Sequence, residues 1–136
     1  MLILGSQSPR RQVLLNALDS PVEVKTIDGI EEVFPPHLKR EEIPLYLSQL
    51  KANAYLDLID EDTIVITADT IVWCEDQLLE KPKDKTQAKQ MLRFLSGKTH
   101  SVYTGVTLLS KQKSKSFFAE SKVTFSDLSD EEINYY

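Results

Sequence analysis

The 136-residue sequence predicts an α/β fold, a mixed β-sheet flanked by helices, on three observations. β-branched runs such as Thr63-Ile64-Val65-Ile66-Thr67 alternate with segments whose apolar residues recur every three or four positions. Glycine and proline fall between these segments and punctuate them. The composition, 41% hydrophobic and 27% charged, is that of a folded chain, and the length suits one globular domain spanning residues 1–136.

The elements follow in order. Leu2 to Leu4 reads as a short buried strand. Gly5 to Ser8 is a turn, and Pro9 at a first helical position opens a helix to about Leu18, with Ser8 as its cap. Val22 to Ile27 suggests a second strand, and Asp28 to Lys39, with Gly29, Pro35 and Pro36, a loop. A second helix is expected from near Pro44, its apolar stripe drawn through Leu47, Leu50, Ala54 and Leu58. The β-branched strand from Thr63 continues past Asp69 into Ile71-Val72-Trp73. Ala88, Met91, Leu92 and Leu95 mark a third helix that Ser96-Gly97 stops. Ser101 to Leu109 and Ser116 to Phe125 read as two strands around the polar turn Lys111 to Lys115. In the latter strand Phe117, Ala119, Val123 and Phe125 are expected on one face. Ser129 with Glu132 three residues on is a capping box, so a helix starts there, and it reaches the last residue, Tyr136, after about two turns. A missing C-terminal segment is therefore expected.

A net charge of −5 argues against a nucleic-acid binder that grips by bulk positive charge, while leaving room for a local cationic pocket. The lone Cys74 excludes an internal disulfide and any zinc site of several thiolates. The apolar opening Met1 to Leu4 ends at Gly5, too soon for a signal-peptide core, and no apolar run has membrane-spanning length. A cytoplasmic protein without membrane contact is the expectation.

Several residues carry chemistry. Arg10 and Arg11 sit in the first turn of the predicted helix, where the dipole disfavours cations by roughly 0.3–1 kcal/mol each unless an anion binds. A phosphate held by backbone N–H groups, the Ser6 and Ser8 hydroxyls and a guanidinium explains them; so does an ordinary solvated helix surface, and the pattern leaves both open. Asp69 interrupts an apolar strand, and a buried carboxylate needs a metal, a hydrogen-bond set or a catalytic task. A solvent-exposed strand end capped by Thr70 is the alternative. Glu31 and Glu32, adjacent acids in a loop, gain interest only as partners of Asp69 for a divalent metal cation, Mg²⁺ or Mn²⁺. Lys81, fixed beside Pro82, is a point charge for phosphate or, with Lys83 and Lys85, part of a solvated basic loop. His37 and His100 have no partner at ligand spacing, and Cys74 reads as core.

Taken in order, the motifs resemble the Maf family of nucleoside-triphosphate pyrophosphatases. The resemblance is carried by Gly5-Ser6-Gln7-Ser8-Pro9-Arg10-Arg11, Gly29-Ile30-Glu31-Glu32, Thr67-Ala68-Asp69-Thr70, Leu79-Glu80-Lys81-Pro82, Leu95-Ser96-Gly97-Lys98-Thr99-His100 through Gly105-Val106, and Leu128-Ser129-Asp130-Glu131-Glu132-Ile133. It implies an inosine-triphosphatase-like sheet and cleavage of a nucleoside triphosphate to monophosphate and pyrophosphate. Asp69 inherits the role of general base, and Glu32 with Asp69 that of metal ligands. Ser6, Ser8, Arg10, Arg11, Thr70 and Lys81 inherit substrate contacts, with Arg10 and Thr70 matching positions linked to base choice in the branch acting on dTTP and UTP. A house-cleaning role, a link to septum formation and a homodimer are further family expectations. Family members continue beyond the point matching Tyr136 through an Asp-Lys-Ala-Gly-Ala-Tyr-Gly-Ile-Gln stretch. The resemblance therefore implies a C-terminally truncated form, and the alternative is a truncated, catalytically impaired form that binds nucleotide or a partner.

Overall fold

The computed structural model describes residues 2–5 and 22–135. The helix expected from Pro9 to Leu18, and Ser6, Ser8, Arg10 and Arg11 with it, lie outside the described residues. Among these the strands are β1 (Leu2–Leu4), β2 (Val22–Val24), β3 (Ile64–Cys74), β4 (Gln77–Leu79), β5 (Thr99–Leu109) and β6 (Ser114–Thr124). The helices are α1 (Glu42–Asn53), α2 (Lys85–Leu95) and α3 (Asp130–Tyr135), with a short 3₁₀ turn at Leu56–Leu58. The strands form one mixed sheet in the order β2-β1-β3-β5-β6, and β4 pairs with β3. β1 runs parallel to both neighbours, Leu4 aligning with Val24 on one side and Ile66 on the other. Antiparallel β4 returns directly along β3, with Val72 opposite Leu79.

The chain divides into two compact units, Met1–Thr70 with Thr104–Ala119, and Ile71–Tyr103 with Glu120–Tyr136. In the first, Ile3, Ala52, Tyr55, Ile59, Val65 and Leu109 form the core, with Ile27 packed against it. Each large aliphatic side chain buried here contributes about 1.5–3 kcal/mol. α1 begins two residues before Pro44 and buries Ile43, Pro44, Leu47, Ser48 and Ala52. The stripe is therefore rotated from the leucine-based expectation: Ala54 is exposed and Leu58 is 61% exposed. The rotation follows from what α1 meets. Thr67 on β3 donates its hydroxyl to the Ser48 carbonyl at 2.6 Å, and the Ser48 and Thr107 hydroxyls lie 2.8 Å apart. Thr107 continues to the Ser116 hydroxyl at 2.8 Å, and Ser116 to Gln49 Oε1 at 3.2 Å. Buried polar atoms need partners, so Ser48 faces the sheet at this point beside Leu47 and Ala52. α1 also comes close enough to β5 that only glycine fits at position 105, where a Cβ would stand 2.5 Å from the Pro44 backbone.

In the second unit α2 starts at Asp84, whose carboxylate accepts the Gln87 N–H at 2.8 Å. Gln87 answers by accepting the Lys83 N–H at 2.9 Å, so two of the free N–H groups at this helix start are satisfied. The expected stop is present: Gly97 takes φ +68, a left-handed conformation that glycine adopts without Cβ strain. The capping box at α3 also forms, the Glu132 N–H donating to Ser129 Oγ at 3.1 Å and the Ser129 N–H to Glu132 Oε1 at 3.3 Å. Ile133 then points inward at 2% exposure, and Cys74 is buried as expected.

Two strand expectations need correction. The second strand ends at Val24, short of Ile27. β6 runs from Ser114 to Thr124, so Phe117, Ala119 and Val123 share a face, while Phe125 lies past its end; Phe117 is 47% and Phe118 46% exposed.

Phe125 packs edge-on against His100, ring centres 5.0 Å apart at 71°. His100 is 6% exposed, and its Nδ1 has no hydrogen-bond partner among the described residues. Burial pushes its imidazole below the usual histidine pKa. The folded state thus favours the neutral ring, so the associated stability is fully present above the unfolded value of about 6.5 and is lost as pH falls below it. We expect melting temperature to decline from pH 7.5 to 5.5 more steeply in the parent than in His100→Gln. One such group supplies at most about 1.4 kcal/mol per pH unit. Equal slopes in thermal melts of the two proteins would remove His100 as the cause.

Candidate functional site

Asp69 is held in the first unit by the strand whose apolar run it interrupts. β3 passes through it without a break, and its side chain is only 13% exposed. The carboxylate faces α1, where Lys51 brings its ammonium to 2.7 Å from Asp69 Oδ1. The same ammonium lies 2.8 Å from Glu32 Oε1 and reaches the Ala68 carbonyl at 3.5 Å. Glu32 comes from the loop after β2 and is half exposed. One cation therefore gathers a strand carboxylate and a loop carboxylate, the pairing that the sequence singled out as Asp69 with Glu32.

Burial works against the charge on Lys51, but hydrogen bonds and attraction from Asp69 and Glu32 outweigh it and hold its pKa above the ordinary lysine value of 10.5. Lys51 is therefore a fixed positive charge at any physiological pH. Its side chain is 20% exposed, so the pair with Asp69 is partly desolvated, and its attraction is less screened than between surface charges.

Sequence reasoning missed Lys51. The signal was its place on the buried stripe, one turn after Leu47 and Ser48 and beside Ala52, where a lysine must find a carboxylate. A stripe drawn through Leu50 and Ala54 hid it.

Thr70 follows Asp69 on the opposite, exposed face of β3, with its hydroxyl 3.0 Å from that of Thr104 on β5. Neither Thr104 nor this pairing was visible in the sequence. Lys81 lies in the exposed coil after β4, within the second unit, and forms no ion pair among the described residues. The structure thus brings together Asp69 and Glu32, adds Lys51, and sets Thr70 next along the strand. Among the described residues no three His, Cys, Asp or Glu side chains group as a metal site. No described helix is long and apolar enough to cross a membrane.

Comparison with known proteins covers the whole chain. The sequence profile of the Maf-like protein family matches residues 1–136. A relative from Phocaeicola vulgatus named dTTP/UTP pyrophosphatase is 53% identical over 99% of this chain and 70% of its own length. Relatives of the same name from Porphyromonas gingivalis and Parabacteroides distasonis are 47% and 46% identical, each over 99% of this chain and 69% and 70% of their own. Among solved structures, the Staphylococcus aureus Ham1 protein superposes with a TM-score of 0.58 at 13% identity, over 89% of this chain and 69% of that one. A nucleoside-triphosphatase / dITP/XTP pyrophosphatase from Mycobacterium abscessus gives 0.51 at 13% identity, over 90% and 73%. At such identity these two structures bear on the fold alone, and they agree with the α/β sheet described above.

Proposed function

The chain belongs to the Maf-like protein family, and from that premise we propose that it hydrolyses dTTP and UTP to the monophosphate and pyrophosphate. The observation that carries this reading is the Asp69–Lys51–Glu32 cluster: a mostly buried strand carboxylate kept beside a permanent cation. The choice of substrates rests on the relatives, whose shared name is dTTP/UTP pyrophosphatase at 46–53% identity.

In this reading Asp69 accepts a proton from water while the water oxygen bonds to the α-phosphorus. The bond from that phosphorus to the bridging α–β oxygen breaks, and pyrophosphate leaves with the electron pair. Lys51 holds Asp69 oriented between turnovers. Ser6, Ser8, Arg10, Arg11 and Lys81 bind phosphate oxygens, and Thr70 contacts the nucleoside end. The cation is proposed as Mg²⁺ or Mn²⁺. Asp69 and Glu32 offer the hard oxygen donors such an ion takes, and two carboxylates suit an ion whose remaining positions are filled by phosphate and water. When bound, it would neutralise charge developing on the phosphate oxygens. The enzyme is proposed to act in the cytoplasm.

The test is product analysis with dTTP, UTP, CTP and the purine triphosphates in the presence of Mg²⁺. Release of pyrophosphate, fastest from dTTP and UTP, is expected. Orthophosphate as the first product, or no turnover of any triphosphate, would sink the proposal.

A further inference from the structure

We infer that Thr67 is a positioning residue, which sets the seat of Lys51 on Asp69 from below through the Thr67–Ser48 hydrogen bond. The inference rests on the pyrophosphatase reading for its kinetic consequence, though not for its geometry. Thr67 and Asp69 are two apart on β3, so their side chains leave the same face of the strand. Ser48 and Lys51 are three apart on α1, so they occupy neighbouring places on one side of the helix. The same strand face and the same helix side are thus joined by two successive links: Thr67 Oγ1 to the Ser48 carbonyl at 2.6 Å, then Lys51 Nζ to Asp69 Oδ1 at 2.7 Å.

The two links differ in kind. Thr67 and Ser48 are both fully buried, so their bond lies where water cannot replace it. Threonine is short and stiff at χ1, so the bond sets the height of α1 along β3 closely. Lys51 ends a flexible four-carbon stem and is partly exposed. By itself it follows wherever the helix lies; with the lower link in place its ammonium reaches Asp69, Glu32 and the Ala68 carbonyl together. Nothing in this requires Thr67 to meet substrate, and its full burial rules out contact with one.

The test compares Thr67→Val, which keeps the β-branched shape and removes the donor, with Thr67→Ser, which keeps the donor. Ile59→Val serves as a control that trims a core methyl of the same unit without touching either link. Two readouts are taken on the full chain: kcat and KM for dTTP, and the Lys51 ammonium signal in isotope-labelled protein. In Thr67→Val, kcat is expected to fall on the order of tenfold through misplacement of the charged pair, with KM little changed. The Lys51 signal should weaken in step as its hydrogens exchange faster with water. Thr67→Ser should restore both, and Ile59→Val should leave both intact despite a lower melting temperature. Retention of kcat and of the Lys51 signal in Thr67→Val would overturn the inference, and so would an equal loss in Ile59→Val. If the parent protein releases no pyrophosphate, the functional reading fails separately. The ammonium signal then decides alone: its loss in Thr67→Val and return in Thr67→Ser uphold the positioning role, and its persistence overturns it.

Discussion

Asp69→Asn is expected to lower kcat for pyrophosphate release by about 10²- to 10⁴-fold, the range associated with loss of a positioned acid–base group. Asparagine keeps the shape and one acceptor oxygen for the Lys51 ammonium, but it takes no proton from water. Lys51 retains Glu32 at 2.8 Å, so its charge is not stranded and the fold should survive. The loss should therefore fall on kcat, with KM for dTTP changing far less, because phosphate binding is assigned to other side chains. Steady-state kinetics with a melting curve on the same sample separate the outcomes. A folded Asp69→Asn protein within tenfold of the parent would remove Asp69 as base and leave it a structural partner of Lys51.

Gly105→Ala should be the most damaging small change in stability. Its Cβ would stand 2.5 Å from the Pro44 carbonyl carbon and oxygen and 2.7 Å from the Leu45 nitrogen. All three are backbone atoms at the start of α1, so no side chain can swing aside. The helix must move off β5, and overpacking of this kind costs about 3 kcal/mol, at the upper end of its usual range. That corresponds to a fall of roughly 10 °C in melting temperature for a chain of this size. The displacement would also stretch the Ser48–Thr107 contact at 2.8 Å, so activity should fall along with stability. A melting temperature within about two degrees of the parent would show that α1 yields without cost.

Both expectations depend on α1, the element where sequence and structure part most clearly. The helix itself was legible from three-and-four spacing, but the side it buries was not. Of the expected stripe through Leu47, Leu50, Ala54 and Leu58, the structure buries Leu47, and it continues the buried side through Ser48 and Ala52 instead. Spacing alone fixes a helix's period and not its phase, because phase depends on what the neighbouring strand offers. Here β3 offers a threonine hydroxyl and a carboxylate, and Ser48 and Lys51 meet them. Local signals fared better. The Gly97 stop and the Ser129–Glu132 box depend on residues within one or two turns and formed as read. β6 was legible as a strand too, its ends lying within two residues of the expected ones.

The sequence by itself determined the α/β class, the longer strands and the helices among the described residues, the Gly97 stop and the Ser129–Glu132 cap, and Asp69 as a charge out of place in an apolar strand. Its ordered motifs also pointed to the family that the comparisons bear out. Only the tertiary structure decided what Asp69 touches. Glu32, Lys51 and Asp69 are brought together from loop, helix and strand, at separations set by the packing of α1 on β3. Caps and turns are short-range hydrogen-bond problems that neighbouring residues solve locally. A charge cluster drawn from distant segments exists only once the chain has folded, because its geometry belongs to the packing and to no single stretch of sequence.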